Sequence, residues 1–90
     1  MITKEELRRL FVYREGALYY RHSATRPVKK GQKAGTTYND YTKIEIAGKR
    51  YSSYLLIWIY HKGDVPEGWK VVRESKKSDS IGTLKLKAIR

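Results

Sequence analysis

Apolar side chains crowd into one stretch of this chain and alternate with polar ones almost everywhere else. Leu55, Leu56, Ile57, Trp58, Ile59 and Tyr60 follow one another without a break. A helix built from them is apolar on nearly all sides, so the segment predicts a central helix, capped by Ser52 or Ser53 and ended at Gly63. Burying such side chains is worth about 1.5–3 kcal/mol each, which makes this helix the centre of the core. Nearer the start, Thr3-Lys4-Glu5-Glu6 has the spacing of a capping box. The Thr3 hydroxyl is expected to accept from the Glu6 N–H while the Glu6 carboxylate reaches back to the Thr3 N–H. A helix from Thr3 then places Leu7, Leu10 and Phe11 on one stripe and turns Arg8 and Arg9 to water or a partner.

The rest of the pattern is that of strands and turns. Arg14-Glu15-Gly16 reads as a turn into a short aromatic strand, Ala17 to Arg21. From Arg21 to Lys33 the chain holds five Lys or Arg, one His and no carboxylate, and has little to bury. It predicts a mobile basic loop, since nothing offsets the entropy of ordering it. Ala34-Gly35-Thr36-Thr37 reads as a short strand and Asn39-Asp40 as a turn. Thr42 to Ile46 alternates with Ile44 and Ile46 inward, and Gly48-Lys49-Arg50 turns the chain into Tyr51. These pieces predict a small antiparallel sheet with one face on a helix and the other open. Val65-Pro66-Glu67-Gly68 is a turn, Trp69 to Val72 a strand, Glu74 to Ser80 a polar loop, and Leu84 to Lys87 a last strand. The fold class is therefore α+β: a small antiparallel sheet packed on a central apolar helix, with a capped helix at the amino-terminal end. Ninety residues suffice for one domain, 1–90, whose amino-terminal half covers residues 1–51 and whose second half covers residues 52–90.

Charge narrows the partners. Twenty Lys and Arg against nine Asp and Glu give a formal charge of +11. A positive field of that size around so small a domain suits a polyanion: nucleic acid first, then an acidic protein, with an anionic membrane third. The plainest alternative is a basic surface that only keeps the protein soluble. With no cysteine there is no disulfide framework and no thiolate-bound zinc. The charged start MITKEELRRL reads as neither a secretory signal nor a transit peptide, which implies a cytoplasmic protein. The apolar run Tyr54 to Tyr60 is too short to cross a bilayer.

The order of the pieces, with a GT-x-x-x-x-Y-x-K-I-x-I-x-GKRY sheet, an apolar helix bearing Trp58 and Tyr60, and then G-D-V-P-E-G, resembles the small phage HNH endonucleases. The resemblance runs over most of residues 3 to 84 and is most specific from Ile44 to Gly68. It is a resemblance of frame, carried by Trp58, Tyr60, Gly63, Pro66, Gly68, Ile81 and Leu84. The family's leading His falls on Tyr54, its Asp-His pair on Lys70 and Val71, its Asn-Gly on Arg73 and Glu74, and its late Asn positions on Asp79 and Thr83. An HNH site needs an imidazole to activate water and ligands to hold a metal. Lys70 repels a cation and Val71 cannot take a proton. His22 and His61 lie apart with no carboxylate at ligand spacing, so each is read as a surface or structural histidine. The expectation is a protein without catalytic residues, cofactor or metal.

In that family a small sheet in the amino-terminal half lies against DNA, much as in the plant ethylene-response DNA-binding domain. By that resemblance Tyr38, Tyr41, Lys43, Lys49 and Arg50 are the expected contacts on and around the sheet, with phosphate contacts from the GKR turn setting its register. Arg21, Arg26, Lys29, Lys30 and Lys33 in the basic loop suit a phosphate strand, and Arg26, Asn39 and Arg50 are the candidates for a base edge. Of the eight tyrosines, Tyr19, Tyr51 and Tyr60 read as core and Tyr38 and Tyr41 as contacts. Lys70, Arg73, Lys76 and Lys77 fill the edge where the HNH site would stand; they read either as a solvated loop or as cations that hold a backbone without cutting it. The function expected is a non-catalytic, phage-type DNA-binding protein on an inactivated HNH frame. The competing reading is a phage-encoded inhibitor of a host nucleic-acid machine, such as a CRISPR effector or RNA polymerase; residual nuclease activity is the third.

Overall fold

The computed structural model describes residues 2–21, 31–39, 41–74 and 79–89. In chain order the elements are α1 (Lys4–Leu10), β1 (Phe11–Arg14), β2 (Ala17–Tyr20), β3 (Thr36–Tyr38), β4 (Tyr41–Ile46), β5 (Lys49–Ser52), α2 (Ser53–Lys62), β6 (Trp69–Arg73), a 3-10 turn (Ile81–Thr83) and β7 (Leu84–Ala88). The strands form three small antiparallel sheets, β1-β2, β3-β4-β5 and β6-β7. This is an α+β fold arranged around α2, which touches α1, β2, β4, β5 and β6. Leu56 and Ile57 of α2 are fully buried, with Leu7, Phe11, Leu18, Ile44, Val71 and Leu84 around them. A stretch apolar on every side needs neighbours on every side, and three sheets and a helix supply them.

The amino-terminal end differs from the expected helix in two details. Thr3 Oγ1 accepts from the Glu6 N–H at 3.2 Å, but the Glu6 carboxylate takes the Thr3 hydroxyl rather than the Thr3 N–H. The helix also stops at Leu10, and Phe11 opens β1. Phe11 is buried as expected, but as a strand residue whose ring lies 5.2 Å from that of Tyr20. The reason is local: Val12 and Tyr13 favour strand, and Glu15-Gly16, both at positive φ (47° and 83°), make a two-residue turn that lays Phe11–Arg14 on Ala17–Tyr20.

Most of the expected basic loop, residues 22–30, lies outside the described residues. The chain 31–34, expected as the end of that loop and the start of a strand, runs beside β2. The Gly31 N–H donates to the Tyr20 carbonyl at 2.7 Å, the Tyr20 N–H to Gln32 at 2.9 Å and the Ala34 N–H to Leu18 at 2.8 Å. Gly35 then crosses over β4 so closely, at φ 96°, that a Cβ there would stand 2.7 Å from the Lys43 carbonyl oxygen. β3 therefore starts at Thr36 rather than Ala34. Similarly, Ala47-Gly48 is the turn between β4 and β5, so Lys49 and Arg50 belong to a strand and not to a turn. β5 passes straight into α2 with Ser52 as N-cap, and the Gly63 N–H closes the helix on the Ile59 carbonyl at 2.9 Å. The expected polar loop, Glu74 to Ser80, is described at Glu74, Asp79 and Ser80; residues 75–78 lie outside the described residues.

Candidate nucleic-acid interface

Strand pairing sorts the side chains of β3-β4-β5 onto two faces. Thr36 pairs with Lys43, Tyr38 with Tyr41, Lys43 with Ser52 and Glu45 with Arg50. Because side chains alternate along a strand, Tyr38, Tyr41, Lys43, Glu45 and Arg50 share the face opposite to buried Ile44, away from α2. Tyr38 and Tyr41 are 39% and 38% exposed, large values for aromatic rings, and stack at 5.3 Å with 26° between their planes. Lys43 reaches the Ser52 hydroxyl at 3.5 Å. Tyr20, Lys33, Tyr38, Lys43, Glu45 and Arg50 together line a groove of 360 Å³ along this face. Burial raises the Tyr20 phenol above its ordinary value of 10.0, and the nearby Glu45 carboxylate adds to the shift. The phenol therefore stays protonated in a groove lined by Lys33, Lys43 and Arg50 as well as Glu45.

Two expected contacts are placed differently. Lys49 pairs with Ile46 and so belongs to the α2-facing side of β5, at its exposed end, not to the face of Lys43 and Arg50. Arg21 is an anchor: its Nε lies 2.6 Å from the Arg8 carbonyl and 2.9 Å from that of Phe11, tying β2 to α1. Lys33 is exposed, and its backbone bridges to Tyr19. Arg26, Lys29, Lys30, Lys76, Lys77 and His22 lie outside the described residues. Tyr19, Tyr51 and Tyr60 are half-buried, between the core and the surface.

Residues matched to the HNH pattern are split between two environments. Tyr54, Arg73 and Asp79 come together: the Arg73 guanidinium sits 5.2 Å over the Tyr54 ring and 3.2 Å from Asp79, which also accepts from the Ser53 hydroxyl. Ser53 is buried, so this polar cluster fastens the β6 side of the molecule to the start of α2. Lys70 is exposed on the opposite face of its strand, and Val71 is 6% exposed and packed in the core. His61 holds the Ile57 carbonyl through Nδ1 at 2.9 Å and meets the Tyr13 ring edge-on at 4.5 Å. Among the described residues no three His, Cys, Asp or Glu side chains gather where they can share a metal ion. Nor, among the described residues, is any helix long and apolar enough to cross a membrane.

Sequence reasoning missed Tyr20, Glu45 and the Ser53-Asp79-Arg73 cluster as components of these surfaces. Glu45 was legible as an outward residue of an alternating strand. The cluster had no local signal, since Ser53 and Asp79 are brought together only by the packing of β6 on α2. No family model, curated protein or solved structure matches the chain.

Proposed function

We propose that the protein is a non-catalytic DNA-binding protein acting in the cytoplasm, built on a frame related to the phage HNH endonucleases, with β3-β4-β5 as its docking face. The observation that carries this reading is the gathering of Tyr38, Tyr41, Lys43 and Arg50 on one outward face. Three strands about 4.8 Å apart span ~10 Å of backbone, a fit to a major groove ~12 Å wide. Lys33 and Lys43 neutralise phosphates and set register. Arg50 matches a guanine edge, and Glu45 beside it matches the amino group of cytosine. No hydrolysis is expected, because Lys70 and Val71 supply neither a metal ligand nor a base where the HNH pattern needs them.

Labelled duplex titrated at two salt concentrations tests this. Binding that weakens steeply with salt, and weakens further in Lys43→Gln and Arg50→Gln, is the expected result. Absence of binding at low salt, or indifference to salt, overturns it. Plasmid incubated with magnesium, manganese or zinc should stay uncut.

One observation favours the inhibitor reading. Trp69 is 45% exposed at the open end of β6-β7, where it pairs with Ala88; Ile89, 55% exposed, follows on the opposite face of the hairpin, with its N–H on the Gly68 carbonyl at 2.9 Å. An exposed Trp is a typical anchor for a protein partner. Capture from a bacterial lysate of one stoichiometric partner that survives nuclease treatment would favour this second reading.

A further inference from the structure

Pairing in the last sheet sets Lys70 opposite Lys87 and Val72 opposite Lys85. Val71 and Leu84 are buried, so their face of the hairpin is the one turned to the core; alternation collects Lys70, Lys85 and Lys87 on the other. All three lysines are exposed. Like charges directly across a strand pair are destabilising, so the fold tolerates this arrangement rather than gaining from it. Alongside runs a groove of 600 Å³ lined by Val72, Arg73, Glu74, Lys85, Leu86 and Lys87.

We infer that this lysine face of β6-β7 is a second contact surface for the nucleic-acid phosphate backbone, separate from the sheet face. It rests on the DNA-binding reading above and adds residues to it. The spacing suits a repeating anion: Lys85 and Lys87, two residues apart on a strand, are separated by ~6.8 Å, and a phosphate and the next but one on the same DNA strand are ~6.8 Å apart along the axis. The composition argues against a protein partner on this face. Lysine is depleted at protein interfaces, Val72, the apolar side chain between the lysines, is itself half-buried, and exposed Ile89 lies beyond them at the end of the strand. Contacts of this kind position the complex and read no sequence.

The test compares the whole protein with the K70Q/K85Q/K87Q variant on labelled duplex across a salt series, with K70R/K85R/K87R as the charge-conserving control. The wild type and the arginine variant should share one slope of log affinity against log salt. In the glutamine variant that slope should be shallower by about 0.9 per lost phosphate contact, up to ~2.7. Its denaturation midpoint should not fall, since all three side chains are exposed, glutamine is a polar side chain only one atom shorter than lysine, and the change removes the Lys70–Lys87 repulsion. Wild-type binding with an unchanged slope in the glutamine variant overturns the inference and leaves the sheet reading intact. The same unchanged slope together with self-association of that variant assigns the lysines to guarding open strand edges, and overturns it too. No wild-type binding at low salt removes the DNA-binding reading, and this inference with it.

Discussion

The sheet β3-β4-β5 and the hairpin β6-β7 both rest on α2, but they are held by different physics. The sheet continues into the helix without a loop, and its central residue Ile44 is fully buried. The hairpin reaches α2 through a turn, buries the smaller Val71 at 6% exposure, and is fastened by the Ser53-Asp79-Arg73 cluster. Apolar burial is strong but indifferent to direction, whereas an ion pair with hydrogen bonds holds an orientation and is costly to break. Their outer faces differ as well. The sheet presents stacked tyrosines, cations and a carboxylate, and the hairpin presents lysines; in the proposed function the first reads bases and the second holds the backbone alone.

This contrast can be broken by substitution. Ile44→Ala should be the most damaging change, at about 2–5 kcal/mol, against ~1.6 kcal/mol for the two carbons lost in Val71→Ala; chemical denaturation of both variants measures it, and equal losses would erase the distinction. Asp79→Ala removes one partner of a pair whose side chains are 15% and 11% exposed. It should cost about 3 kcal/mol and loosen amide protection in β6 and β7 before β4. Gly35→Ala, forced to a positive φ with its Cβ against the Lys43 carbonyl, should cost about 1–3 kcal/mol and act on the sheet. The smallest effect concerns Tyr20. A phenol raised in the folded state contributes stability that is fully present below its ordinary value of 10.0 and is lost as pH climbs from there through the raised value. Tyr20→Phe should therefore flatten the alkaline fall in stability while leaving its neutral value nearly unchanged, as pH-dependent denaturation will show.

Much of the fold was legible because its signals are local. The Thr3 cap, the unbroken apolar run ended by Gly63, and the alternation of Thr42 to Ile46 and Leu84 to Lys87 all predict the elements found. Phe11 misled because a residue at helical spacing from Leu7 is equally buried one step into a strand. Lys49 and Arg50 misled for a related reason: Gly48 announces a turn, but only pairing shows that Ala47 is its first residue and that the two cations then take opposite faces. Of the candidate site, Tyr38, Tyr41, Lys43 and Arg50 were readable from alternation. Lys85 and Lys87 were visible as a pattern but gained a third member of their face only when Lys70 was placed across from Lys87.

By itself the sequence determined which residues are apolar, where helices are capped and where strands alternate, since each depends on neighbours a few positions away. Tertiary structure decided what depends on distant partners: that 31–34 runs beside β2, that Ser53 meets Asp79, that Val71 turns inward while Lys70 and Lys87 face each other outward. Strand register is set by pairing across the chain, and a shift of one residue exchanges the two faces of a sheet. Which cations share a surface was therefore settled by packing on α2 and not by their order along the chain.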